Sequence, residues 1–265
     1  MSNISNGSWV QDLMFKHKKV YSQFGQDGVI EAIVDSIHID NKFCVEFGWN
    51  STTLTGGTGP NCANLVANKH WNNVFFGQYD VPEINAYKCF LTTENILSVF
   101  QQHNVPTNVG YISVDVDSTD LWLLDALLQQ YKPSFYSVEF NCNIPSNYAI
   151  TFPNDVNQHW QNNKVFGASL KCFEIVAAKY EYTLVYMDHQ CGHDAFYVRN
   201  NLMNGAKGVD YRTRQHHPLH SVVPSNGRHA LCLDYEHYLA TNNVHESQLV
   251  ALPVTTKYLT NYEGL

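Results

Sequence analysis

The chain has 265 residues, enough for one large α/β domain with a sizeable core, or for one domain with an extension. Its 44% hydrophobic and 13% aromatic content excludes a disordered chain. The formal charge of −8, from 16 basic and 24 acidic side chains, speaks against a surface built for nucleic acid or an anionic membrane, since phosphate contacts need clustered cations.

The only basic cluster is Lys16-His17-Lys18-Lys19, nowhere do eighteen apolar residues run together, and residues 1–19 carry no stretch resembling a signal peptide. The seven cysteines are odd in number, lack CxxC spacing and fall partly inside apolar patterns, so free thiols in a reducing, cytoplasmic setting are expected. Residues 26–37 show apolar positions at helical spacing and predict a leading helix, preceded by the polar-aromatic phrase Tyr21-Ser22-Gln23-Phe24-Gly25. A strand at 42–48 follows, then a glycine- and threonine-rich loop at 49–60, a helix from Asn61 to about His70, and strands at 74–76 and 87–91. Thr92 or Thr93 is expected to cap the next helix, which runs through Phe100.

The centre of the pattern is Gly110-Tyr111-Ile112-Ser113-Val114-Asp115-Val116-Asp117-Ser118-Thr119-Asp120. There a buried strand runs into an acidic turn and then into a helix too apolar for a surface, Leu121-Trp122-Leu123-Leu124 onward. A second apolar strand, 134–141, ends in Glu139 and Asn141. Both strand ends should aim their polar groups at the carboxyl edge of a parallel sheet, where open α/β folds place ligands. An irregular Asn- and Pro-rich stretch at 142–165, an amphipathic helix at 167–180 and strands at 182–187 and 195–199 complete the pattern. Only a turn separates the last two strands, so the final one should enter antiparallel, because parallel neighbours need a crossover. The expected division is a helical lead-in at 1–40, an α/β domain at 41–202 and an extension at 203–265 packed on the same domain.

The phrases Tyr21-Ser22-Gln23-Phe24-Gly25-Gln26-Asp27-Gly28, Phe43-Cys44-Val45-Glu46-Phe47-Gly48, Thr93-Glu94-Asn95-Ile96, Ile112-Ser113-Val114-Asp115-Val116-Asp117 and Phe166-Gly167-Ala168-Ser169-Leu170 together resemble the FkbM-like family of class I S-adenosylmethionine-dependent methyltransferases. The resemblance spans about 21–202. It implies a Rossmann-like, mostly parallel sheet with a final antiparallel strand and helices on both faces. It also implies S-adenosylmethionine as cofactor and a small-molecule acceptor, hydroxylated and sugar-like, with a homodimer allowed.

On that resemblance Glu46 and Gly48 wrap the methionine end of the cofactor, near Gln23, Gln26 and Asn50, with Asp115 close by. Two departures stand out. The turn after Gly48 is long, with displaced glycines at 56, 57 and 59. Where class I enzymes usually hold both ribose hydroxyls with an acid, this chain reads Gly77-Gln78-Tyr79-Asp80, so Gln78 or Asp80 must serve. The alternative is a methyltransferase-like fold with lost or altered cofactor use, acting as a binding module.

Methyl transfer to a hydroxyl needs a base or a metal that raises its acidity. Asp117, Glu139 and His193 are the candidate bases. Asp115 and Asp117, two apart and so on one face if the strand continues, join Glu139 and Asn141 as oxygen ligands suited to Mg2+ or Ca2+. Asp120 and Ser118 read as turn and cap residues. The histidines at 189, 216, 217, 220, 229 and 237 read as surface residues, and His159 as a loop residue.

Overall fold

The structure, a computed structural model, describes residues 9–157, 160, 166–188, 194–213 and 232–249. A short helix α1 (Trp9–Asp12) and a 3-10 turn (Leu13–Phe15) lead to α2 (Gln26–Ser36). Then follow β1 (Phe43–Trp49), α3 (Ala63–Lys69), β2 (Asn72–Gly77), β3 (Ala86–Lys88), α4 (Ile96–Gln102), β4 (Tyr111–Val114), α5 (Asp120–Leu128) and β5 (Phe135–Glu139). The chain continues through β6 (Ile150–Thr151), α6 (Leu170–Lys179), β7 (Tyr182–Met187), β8 (Asp194–Arg199), β9 (Leu233–Asp234), α7 (Tyr235–Thr241) and α8 (Val244–Ser247).

Seven strands form one sheet in the order β3-β2-β1-β4-β5-β8-β7. The pairs from β3 through β5 are parallel, and β8 lies antiparallel between β5 and β7. This is the Rossmann-like sheet of class I methyltransferases in strand order and direction. The antiparallel strand enters one place inside the edge, because the short β7-to-β8 connection lets β8 fold back into the gap beside β5.

Each strand alternates its side chains between two cores. Val45, Phe76, Ile112, Tyr136 and Tyr197 face the layer of α4, α5 and α6, while Cys44, Phe75, Tyr111, Phe135 and Phe196 face α2 and α3. Both faces are therefore buried, which is why the strands read as continuous apolar runs. Full burial of each such side chain contributes about 1.5–3 kcal/mol. α5 is apolar nearly all round, with Leu121, Leu123, Leu124, Leu127 and Leu128 buried.

Two local expectations are corrected. β3 stops at Lys88 rather than reaching residue 91. α4 begins at Ile96, not after Thr92 or Thr93. Asn95 is the reason: its Oδ1 accepts the Thr92 backbone N–H at 2.8 Å and its Nδ2 donates to the Phe90 carbonyl at 2.9 Å, closing a turn before the helix starts.

The later residues fold onto α5. Ile150 and Thr151 pair antiparallel with Asp234 and Leu233. The Trp122 indole N–H donates to the Phe152 carbonyl at 2.7 Å, and Tyr235 and Tyr238 meet that indole edge-on with centroids 5.6 and 5.3 Å away. Among the described residues no helix is long and apolar enough to cross a membrane, and the six described cysteines are free.

Candidate active site

At the carboxyl edge of β1, β2, β3 and β4 lies a cavity of about 620 Å3, within the usual range for small-molecule and cofactor sites. Its shape follows from close backbone contacts that only glycine permits. Gly48 at the end of β1 has φ +72°, and a Cβ there would lie 2.0 Å from the Asp115 carbonyl oxygen. Gly59 (φ +111°) touches the Gln23 backbone, where a Cβ would come within 2.4 Å of its nitrogen. The first contact brings the ends of β1 and β4 together, and the second clamps the lead-in segment onto the glycine-rich loop.

That lead-in is built around Asp27. Its Oδ2 accepts the backbone N–H groups of Val20, Tyr21 and Ser22 and the Ser22 hydroxyl, all at 2.7–2.8 Å. Gln26 is buried beside it; its Oε1 accepts the Phe24 N–H at 2.8 Å and its Nε2 donates to Asp194 at 2.5 Å. Gln26 thus ties the lead-in to β8 and is not in the cavity wall, whereas Gln23 is.

Glu46 lines the cavity, and both its oxygens accept backbone N–H groups, of Asn61 and Cys62, each at 2.9 Å. It supplies the start of α3 with the acceptor that Cys62, at the cap position, does not. Burial pushes its carboxyl up from 4.5 to about 7, against the lowering effect of those two N–H groups. Asn50 also lines the cavity, with its amide bonded to Thr58, Nδ2 to the hydroxyl at 2.7 Å and Oδ1 from the backbone N–H at 3.2 Å.

The acidic turn does not continue the strand. β4 ends at Val114, and Asp117 adopts a left-handed φ of +59°. Asp115 and Asp117 therefore converge through a turn rather than by strand alternation. Asp120 makes that turn: its two oxygens accept the Val116 N–H at 2.7 Å and the Ser118 N–H at 2.9 Å.

One oxygen each from Asp115, Asp117 and Glu139 lie within 4.8 Å of one another. Asp115 is exposed to the solvent of the cavity. Partial desolvation by the protein around it first, and then the neighbouring Glu139 and Asp117 carboxylates, raise its carboxyl above the ordinary range. Buried Glu139 is raised likewise, by burial first and then by Asp117, Asp120 and Asp194; a hydrogen bond with Asp115 works the other way. Each therefore favours its neutral form more than an isolated carboxyl does.

The cavity thus brings together Gln23, Glu46, Gly48, Asn50, Gln78, Asp115 and Asp117, with Glu139 behind Asp115. Asp80 stands outside the wall, its Oδ1 accepting the Lys88 backbone N–H at 2.7 Å. Asn141 is buried, and its amide is engaged by the Phe166 carbonyl at 3.0 Å and the Asn143 N–H at 2.9 Å, so it braces the loop after β5 rather than extending the oxygen cluster. His193 and His159 lie outside the described residues.

Three features were missed from sequence. Lys88 and Phe90 line the cavity because β3 ends early. Asp194 sits directly across from Glu139 in the antiparallel register. The antiparallel return strand was the signal that could have placed it there.

The three carboxylates also suit a hard cation, since their oxygens span a distance one ion can bridge and their mutual repulsion favours a counter-charge. The cavity is large enough for a nucleoside cofactor, with polar groups on one side and Phe90 and Leu91 on the other.

No protein-family model matches the sequence, and no curated protein matches it. Among solved structures, a crystal structure of an O-methyltransferase family 2 protein from Planctomyces limnophilus DSM 3776, in complex with apigenin, is similar at 10% identity and a TM-score of 0.30. The match covers 59% of this chain and 50% of that one, so this chain corresponds to about half the length of that protein. The fold assignment rests on the order and direction of the seven strands themselves.

Proposed function

We propose that this chain is a class I S-adenosylmethionine-dependent methyltransferase of the FkbM-like type that transfers a methyl group to a hydroxyl of a small, sugar-like acceptor. The observation that carries the reading is the position of the cavity at the carboxyl edge of a sheet with this strand order, with Gly48 and Glu46 from β1 on one side and the acidic turn after β4 on the other. When bound, the cofactor supplies an electrophilic methyl on a sulfonium. The chain's own residues must hold the acceptor in line with it and take the hydroxyl proton.

Asp117 is the favoured base: it lines the cavity at the turn after β4, with an oxygen within 4.8 Å of those of Asp115 and Glu139. Glu46, Gly48, Asn50 and Gln23 surround the methionine end, and Gln78 stands at the ribose end. In a metal-assisted form of the same reading, Mg2+ would be held by Asp115, Asp117 and Glu139 and would raise the acidity of the acceptor hydroxyl. Turnover that survives exhaustive chelation would remove the ion from the scheme.

The test is calorimetric titration with S-adenosylmethionine and S-adenosylhomocysteine, each with and without Mg2+. Saturable binding is expected. Absence of binding under every condition would overturn the assignment and favour the second reading, a methyltransferase-like fold that binds some other ligand or partner.

A further inference from the structure

The cavity has two chemically different walls. The ends of β1 and β4 contribute Glu46, Asp115 and Asp117, all carboxylates. The ends of β2 and β3 contribute no carboxylate at all. Gly77 and Lys88 are partners in the parallel ladder, so Gln78 follows one residue beyond the level of Lys88 on the adjacent strand, and both line the cavity. Lys88 is the only Lys, Arg or His among the described residues of the wall. Asp80, just past β2, lies outside the wall, its Oδ1 accepting the Lys88 backbone N–H. Beyond them Phe90, 61% exposed, and Leu91 offer an apolar face.

A carboxylate recognises a ribose because both hydroxyls can donate to it. A wall that offers an ammonium and an amide asks for the opposite partner, an acceptor with negative charge, and a phosphate oxyanion meets that demand far better than a hydroxyl oxygen. We propose that the β2–β3 wall is an anion-accepting subsite and that the cavity takes a nucleotide carrying a phosphate ester on its ribose ring. The proposal rests on reading the cavity as a nucleotide site but not on methyl transfer. One ammonium suits one phosphate, and the acidic opposite wall would repel a polyphosphate chain.

The test is calorimetric titration of the full chain, in chelator, with adenosine 2′-monophosphate, adenosine 3′-monophosphate, adenosine and S-adenosylmethionine. Adenosine lacks only the ring phosphate, and no probe sets a 5′-phosphate against the acidic wall. One of the monophosphates should bind about tenfold more tightly than adenosine, the scale of one charge-assisted contact. Lys88→Met should erase most of that preference and Lys88→Arg should keep it. Gln78→Glu should weaken the monophosphate further.

Equal binding of the monophosphates and adenosine, or a preference that survives Lys88→Met, overturns the subsite, as does tighter S-adenosylmethionine binding in Gln78→Glu, which marks an ordinary ribose site. These outcomes leave the nucleotide reading intact. If no adenine compound binds, the nucleotide reading fails and takes the subsite with it. A preferred monophosphate alongside undetectable S-adenosylmethionine keeps the subsite and removes methyl transfer.

Discussion

Two groups of carboxylates sit a short distance apart in this molecule and behave in opposite ways. Asp27, fully buried at the start of α2, meets three backbone N–H groups and a hydroxyl. Asp115 and Glu139, at the ends of β4 and β5, face each other and further acids. The difference lies in the neighbours: Asp27 meets donors and organises a loop, whereas Asp115 and Glu139 are crowded by other carboxylates, which raises both above the ordinary range.

The largest effect expected from this contrast is at Asp27. Asp27→Ala leaves three backbone N–H groups without their acceptor, at a cost of roughly 3–4 kcal/mol. Thermal unfolding should show a melting temperature lower by roughly 10 °C for a chain of this size. Asp27→Asn, which keeps one acceptor oxygen, should lose about half as much. An Asp27→Ala protein that melts with the wild type would show that these bonds do not hold the lead-in.

The second effect has the opposite sign. A carboxyl whose pKa is raised in the folded chain binds its proton more tightly there, so the stability it lends at low pH is lost as pH rises through the folded value. Asp115 and Glu139 are raised, and Glu46 goes from 4.5 to about 7. The melting temperature should therefore fall as pH rises from 4.5 through neutral, and Asp115→Asn should flatten that fall by removing one of the repelling charges. A wild-type profile that rises over the same range would refute the crowding.

Much of this architecture was legible in the chain. The apolar runs marked the strands because both faces of the sheet are buried, and the short connection before β8 announced its reversed direction. The acidic turn was legible as a place but not as a geometry. Asp115 and Asp117 come together through a left-handed residue, a tertiary outcome that a period-two pattern cannot show. Asp80 and Asn141 looked equally available in sequence, yet backbone groups remote in the chain or just beyond them claim their side chains. Asp194 was missed for a different reason: the return strand was legible, but its register, which sets Asp194 against Glu139, was not.

Gln26 tests whether the two groups are mechanically linked. Its amide joins the Phe24 N–H to Asp194. Gln26→Leu fills the space but removes both of these hydrogen bonds, and should cost about 1–2 kcal/mol. A loss confined to the lead-in would appear as faster amide exchange at residues 20–24 with β8 unchanged, and that pattern would break the link.

The smallest structural effect, and the sharpest functional one, belongs to Asp117. Its φ of +59° lies where Asp and Asn are tolerated and alanine is strained. Asp117→Asn should keep the turn and melt within a degree or two of the wild type, while Asp117→Ala should be less stable by about 1 kcal/mol. If Asp117 takes the acceptor's proton, both variants lose methyl transfer, although only one of them strains the backbone. Loss of activity in Asp117→Ala with full turnover in Asp117→Asn would assign the residue to shaping the turn. Loss in both, with cofactor affinity retained by Asp117→Asn, separates the carboxylate's chemistry from its conformation, which is the distinction that divides Asp27 from the acids at the ends of β4 and β5.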